Sequence, residues 1–316
     1  MGTTASILGM VFPGQGSQAL GMSSALAEAF PEVRETYAEA TEALGLDLWQ
    51  LVTEGPAEAL DRTENTQPAM LTADVAVWRV WQAQGGPAPA WLAGHSLGEY
   101  GALVAAGSLA FADAVRLVAE RGRLMQAAVP EGAGAMAAIL GLDDPVVAEV
   151  CAGIDAADQV VEPVNFNAPG QVVIAGDRAA VEAAVTAAKA AGARRALLLP
   201  VSVPSHCRLM QPAAERFAAA LEATAFTSPR IPVLHNADVA THAEPEAIRA
   251  ALQQQLYRPV RWVDTIRRMA TEGVTRLVEA GPGKVLAGLN RRIDRDMTCI
   301  PVFDPDSLAK ALEAVR

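Results

Sequence analysis

Trp91-Leu92-Ala93-Gly94-His95-Ser96-Leu97-Gly98-Glu99-Tyr100 decides how the rest of the chain is read. Residues 90–93 are apolar and few, like a buried strand, and residues 97–106 read as a helix that Gly107 stops. Between them lies Gly94-His95-Ser96-Leu97-Gly98, a G-x-S-x-G pentapeptide. A strand that turns sharply into a helix leaves no room for a Cβ beside the serine and projects its hydroxyl from the strand end. The helix N-terminus adds positive potential and a free backbone N–H. The spacing therefore predicts a nucleophile at Ser96. The alternative use of the same glycines is a tight turn without chemistry.

Composition limits what such a serine acts on. A chain of 316 residues suits one large domain or two modest ones, and 51% hydrophobic against 19% charged residues allows a substantial core. A net charge of −11 and 5% aromatic residues argue against nucleic acid as the partner, which needs clustered Lys and Arg and stacking platforms. Cys151, Cys207 and Cys299 are odd in number and widely spaced, so neither a disulfide framework nor a zinc site is expected and a reducing cytosol fits. No signal segment opens the chain, and no apolar run approaches a membrane span. Met1-Gly2-Thr3-Thr4-Ala5-Ser6 matches a myristoylation pattern, but the strand that follows almost at once leaves no free anchor.

N-terminal to the elbow, residues 7–12 are expected as a central strand, followed by Pro13-Gly14-Gln15-Gly16-Ser17-Gln18 and a helix from about Ala19. Residues 14–19 can be forced into G-x-G-x-x-A. A dinucleotide site needs an acid at a strand end about 20 positions on, and Glu32, Glu35 and Glu39 lie in a helical stretch instead. A better use for the loop is to present backbone N–H groups beside the elbow. Residues 72–81 read as a further helix.

C-terminal to the elbow, a helix is expected over 111–127. At about 100° per residue, Ala114, Leu117, Val118, Leu124 and Met125 share one face, with Arg121 in its middle. A guanidinium there needs an anion. An ion pair within the chain, a snorkelling side chain or a substrate carboxylate would each serve. Residues 132–200 follow the order βαββαβ, a ferredoxin-like pattern inserted into a large domain made of 1–131 and 201–316. Asn165 and Asn167 precede its hairpin turn and either face the cleft or stabilise the turn. Of the four histidines, His206 sits at a strand-to-helix junction and is the best placed base, with His235 second. His95 adjoins the serine in a tight turn, so its side chain should point elsewhere. Cys207 neighbours His206 too closely in sequence to form a nucleophile–base pair with it.

Val11-Phe12-Pro13-Gly14-Gln15-Gly16-Ser17-Gln18 resembles the opening motif of the malonyl-CoA:acyl-carrier-protein transacylases, and Gly94-His95-Ser96-Leu97-Gly98-Glu99 resembles their nucleophile motif. Glu120-Arg121-Gly122, Val164-Asn165-Phe166-Asn167, Val203-Pro204-Ser205-His206-Cys207, Gln255-Leu256-Tyr257 and Glu279-Ala280-Gly281-Pro282-Gly283-Lys284 extend the likeness over nearly the whole chain. The resemblance implies an α/β fold: an α/β-hydrolase-like large domain with a parallel sheet, and the inserted ferredoxin-like subdomain. It implies Ser96 as nucleophile, His206 as base oriented by the Gln255 carbonyl, Arg121 on the malonyl carboxylate, and the N–H groups of Gln15 and Leu97 in the oxyanion hole. His95 and Asn165 take supporting places in the cleft.

The same resemblance implies malonyl-CoA as a substrate rather than a cofactor, no metal, and acyl carrier protein as a transient partner in the cytoplasm. Val203-Pro204-Ser205-His206 looks like the stand-alone fatty-acid type rather than the related polyketide synthase domains. A hydrolase on the same fold would share the serine and base but need no inward arginine. An acidic carrier would dock on a local basic patch, with Lys284, Arg291, Arg292 and Arg295 as one candidate and Lys189, Arg194 and Arg195 as another. Ordinary solvated surface is the alternative for each.

Overall fold

β1 (Ile7–Phe12) is buried at every position after Ile7, because a parallel strand covered on both faces has no solvent side to alternate with. The computed structural model describes residues 7–201 and 203–315, so the myristoylation-like pattern at 1–6 lies outside the described residues. Four more strands join β1: β2 (Trp91–Gly94), β7 (Val233–Leu234), β8 (Val274–Ala280) and β9 (Thr298–Val302). Their order is β7-β2-β1-β8-β9, and all neighbours run parallel. The chain leaves β1 to one side through β2 and β7 and continues on the other through β8 and β9. Its direction of winding therefore reverses at β1, and the carboxyl ends of the strands open a crevice there.

Register brings two loops together in that crevice. Phe12 pairs with Gly94, so the Pro13–Gln18 loop and the elbow emerge side by side. The glycines are sterically required. A Cβ on Gly94 would lie 1.9 Å from the Gly98 carbonyl carbon, one on Gly98 would lie 2.1 Å from Phe12 O, and one on Gly14 would lie 2.4 Å from His95 O. None of these contacts can be relieved by a side-chain rotation, because each partner is backbone. Gly98→Ala is expected to lower unfolding free energy by roughly 3–5 kcal/mol, read from a denaturant melt. A loss below about 1 kcal/mol would mean the turn has slack that the sterics deny.

Two helix expectations are corrected. The helix placed from about Ala19 begins only at Ser24 (Ser24–Ala29), because Gly21 takes a left-handed φ of 79° that an α-helix cannot continue through. The helix read over 72–81 spans Thr63–Ala83 with Pro68 inside it. Pro68 looks like a stop, yet burial overrides propensity: the helix packs on nearly every face, and Thr72 Oγ1 donates to Pro68 O at 2.7 Å.

The second sheet lies within residues 134–198. β3 (Gly134–Leu140), β4 (Val161–Ala168), β5 (Gln171–Asp177) and β6 (Arg195–Leu198) form an antiparallel sheet in the order β4-β5-β3-β6. Helices Asp144–Ala152 and Arg178–Ala190 complete the ferredoxin-like βαββαβ pattern. β4 is tied to the rest of the molecule by two backbone bonds, Phe166 N to Val260 O at 3.0 Å and Val260 N to Val164 O at 2.8 Å. Those bonds set the small sheet over the carboxyl ends of the large one.

Candidate active site

The turn from β2 into the Gly98–Ala105 helix holds Ser96 at φ 51°. That region disfavours a residue with a Cβ by about 1–2 kcal/mol, so the surroundings must hold it. Asn236 Oδ1 accepts from Ser96 N at 2.7 Å, and Gln255 Nε2 donates to Ser96 O at 2.9 Å. The side chain of Asn236 also donates to Gly94 O at 2.7 Å, so one buried amide braces the elbow on two sides.

His206 Nε2 lies 2.8 Å from Ser96 Oγ, and Nδ1 lies 2.7 Å from Gln255 O. A carbonyl oxygen only accepts, so Nδ1 carries the hydrogen and Nε2 presents a bare lone pair to the serine hydroxyl. Burial and then the nearby Arg121 charge push the imidazole pKa down to about 3. The ring is therefore a neutral acceptor at any physiological pH. The arrangement matches a serine nucleophile with a backbone carbonyl in the place of a triad acid.

Arg121 is 1% exposed and reaches the same cleft. Nη1 donates to Gln67 Oε1 at 2.8 Å, and Nη2 to Gln255 Oε1 at 2.9 Å and Ser96 Oγ at 3.4 Å. These acceptors are neutral, and Nε has no partner among the described residues. Of the three ways the sequence left open, the structure removes two: the side chain does not reach solvent and its acceptors include no carboxylate. Arg116 and Arg123, on the opposite face, pair with Asp113 and Glu120.

The cleft measures about 550 Å³ and lies between the elbow, the Pro13–Gln18 loop and the small sheet. Gln15 and Leu97 line it, and neither backbone N–H meets a protein acceptor among the described residues. Asn165 lines it too, 6% exposed. His95 turns away from Ser96, its Nε2 2.7 Å from Asn167 Oδ1, so Asn167 bridges the small sheet to the elbow rather than serving its own turn.

Other candidates fall elsewhere. His235 is buried against Glu99, Nδ1 donating to Oε1 at 2.7 Å, and is not the histidine beside Ser96. Cys207 donates to Pro204 O, and burial pushes its thiol up to about 12. Arg292 of the first basic cluster is bound to Gln171 Oε1 and to Pro169 O, tying its helix to the β4–β5 turn. The remaining cations of both clusters are exposed. Among the described residues, no group of three His, Cys, Asp or Glu is arranged to hold a metal ion, and no helix is long and apolar enough to cross a membrane.

Residues 10–308 match the acyl transferase domain family. The chain belongs to that family. This acyltransferase is 59% identical over 304 residues to the malonyl CoA-acyl carrier protein transacylase of Escherichia coli, covering 96% of this chain and 98% of the relative. It matches the malonyl CoA-acyl carrier protein transacylase structure from Coxiella burnetii at 49% identity and TM-score 0.97, covering 100% of this chain and 99% of that one. A malonyl-transacylase solved in complex with a type II PKS acyl-carrier protein is 56% identical, with TM-score 0.96 and coverage of 98% and 100%.

Sequence reasoning missed three parts of the acyltransferase site. Nothing in the sequence assigns Gln67, Asn236 or the side chain of Gln255 a contact there, although the resemblance brings the Gln255 carbonyl to His206. Glu99 belongs to the nucleophile motif, but the motif by itself gives it no role. It is buried and accepts from Asn236 N at 2.9 Å and Gln255 Nε2 at 2.8 Å. A neutral amide carries no periodicity or charge anomaly, so no local signal marks Gln67 or Asn236.

The lowered His206 pKa has a kinetic consequence. If His206 is the base, it works as neutral imidazole, and activity should be lost only when pH falls through the folded pKa. For acylation of the acyltransferase, kcat/KM is expected to stay level from about pH 8 to about pH 5, without the acid limb near 6.5 of an ordinary histidine. Stability responds to acid at a higher pH than activity does. The unfolded chain binds the proton first, so His206 contributes a loss of stability as pH drops below its unfolded value. An acid limb centred near 6.5 in the kcat/KM profile would contradict the buried, neutral base.

Proposed function

We propose that this acyltransferase moves the malonyl group from malonyl-CoA to the phosphopantetheine thiol of acyl carrier protein, through a malonyl ester on Ser96, in support of fatty acid synthesis. Ser96 Oγ attacks the thioester carbonyl while its proton passes to His206 Nε2. The N–H groups of Gln15 and Leu97 hold the tetrahedral oxyanion, each worth roughly 3–4 kcal/mol in comparable sites. Collapse of the intermediate breaks the C–S bond, and the imidazolium proton goes to the departing CoA sulfur. The carrier thiol then gives its proton to Nε2 and attacks the ester, restoring Ser96 in a ping-pong cycle.

Arg121 carries the reading. A buried guanidinium whose hydrogen-bond partners are neutral, 3.4 Å from the nucleophile, suits an acyl group that ends in a carboxylate. Its planar fork binds such a group through two parallel bonds. Gln255 holds the base, and His95 and Asn165 support the cleft wall. No resident cofactor or metal is invoked, since malonyl-CoA is itself the substrate. The segments 1–131 and 201–316 form the large domain and 132–200 the small one, and the protein works in the cytoplasm.

A relative solved with a polyketide carrier favours one second reading, in which the acceptor is the carrier of a type II polyketide synthase. The chemistry is the same, and relative rates on the two purified carriers separate them. The reading as a whole is tested by mixing the enzyme with malonyl-CoA alone. Intact-protein mass spectrometry should find one malonyl adduct that persists until carrier is added. Rapid release of malonate with turnover, and no carrier present, would favour a hydrolase.

A further inference from the structure

The helix Thr63–Ala83 places Gln67 directly against Arg121. Gln67 is fully buried. Its Oε1 accepts from Arg121 Nη1 at 2.8 Å, and the contact of its Nε2 is the Met125 thioether at 3.6 Å. On the other side Gln255 does the same for Nη2, and its own Nε2 donates to Glu99. The carboxylate nearest along this network is thus held one amide away from the guanidinium.

A glutamate has the shape of a glutamine and would seat a carboxylate on Nη1. A direct pair there would relieve a buried charge that otherwise destabilises the folded state. It would also spend the charge within the protein. With an amide, the guanidinium is aligned but not neutralised, and donors remain for an incoming anion.

We infer that Gln67 is a positioning residue for acyl-group selection: its neutral amide holds Arg121 toward the cleft and leaves the charge to be answered by an acyl group ending in a carboxylate. The inference rests on the transfer proposed above. It makes the acyltransferase less stable than its shape allows, in exchange for selectivity.

The test is Gln67→Glu, with kcat and KM for acyl-enzyme formation measured on malonyl-CoA and acetyl-CoA, beside the thermal midpoint. The malonyl KM should rise about 100-fold while kcat changes by less than about threefold. Acetyl-CoA, with no charge to place, should be used within about threefold of wild type or better. The midpoint should rise by about 3 °C or more, a gain that damage to the fold does not give. An equal loss on both substrates, or an unchanged malonyl KM, overturns the inference.

Should Gln67→Glu not fold, Gln67→Met removes the acceptor without adding charge. It should raise the malonyl KM about tenfold and leave acetyl-CoA within about twofold, and a parallel loss overturns the inference. A wild-type enzyme that takes no malonyl group sinks the functional reading and this inference with it. A wild-type enzyme that does, beside a variant with unchanged KM, sinks the inference alone.

Discussion

Replacing Ser96 by alanine is expected to abolish the malonyl adduct and to lower transfer to carrier by at least about ten-thousand-fold. On the proposed transfer, the side chain removed is the one that forms the ester, and no neighbour is placed to replace it. Cys207, the nearest rival in sequence to the base, is buried, bonded to Pro204 O and pushed up to about 12. The fold should survive, because alanine at φ 51° meets the same backbone strain as serine, and the braces from Asn236 and Gln255 reach the backbone rather than the hydroxyl. Mass spectrometry after exposure to malonyl-CoA, with a thermal melt as control, reads both halves. A malonyl adduct on the alanine variant would move the nucleophile elsewhere.

Arg121→Ala is expected to lower kcat/KM for malonyl-CoA by roughly 10³-fold and to leave acetyl-CoA no worse used than before. A charge-assisted fork in a water-poor site is worth several times an exposed pair, because the low local dielectric strengthens it. The acetyl arm matters, since the variant also frees Gln67 Oε1 and Gln255 Oε1 from their donor. General disorder of the site would depress both substrates together. An equal fall on malonyl-CoA and acetyl-CoA would therefore refute an anion-binding role for Arg121.

The two variants probe groups that differ in how they were legible. Ser96 announced itself through its flanking glycines, and the reason is short-range. A Cβ at Gly94 or Gly98 would overlap backbone a few residues away or on the adjoining strand end, so the sequence records the constraint locally. Arg121 announced itself through helical period, because Ala114, Leu117, Val118, Leu124 and Met125 are all buried around it. What answers its charge was not legible. Helical period supports an internal ion pair or a snorkelling side chain at least as well as a substrate carboxylate, and only the packed neighbours narrow the three.

His206 shows the limit from the other direction. Position at a strand-to-helix junction favours it among the four histidines, yet the same logic admits His235 at another strand end. Their fates diverge because His206 meets Ser96 across 110 residues of chain, whereas His235 meets Glu99 across 136.

By itself, then, the sequence determined the elements whose causes are local: the buried parallel strand, the tight elbow, the amphipathic helix with one misplaced cation, and the βαββαβ run. Steric overlap, side-chain period and turn chemistry act within a few residues, so one chain suffices to read them. Tertiary structure alone decided which polar groups meet. Gln67 lies 54 residues from Arg121, Gln255 134 from it, and Asn236 140 from Ser96. Those contacts exist because packed helices bring Gln67 and Gln255 against Arg121, while strand order sets Asn236, just past β7, beside the elbow. Neutral amides leave no trace in hydropathy or charge to announce that they will be there.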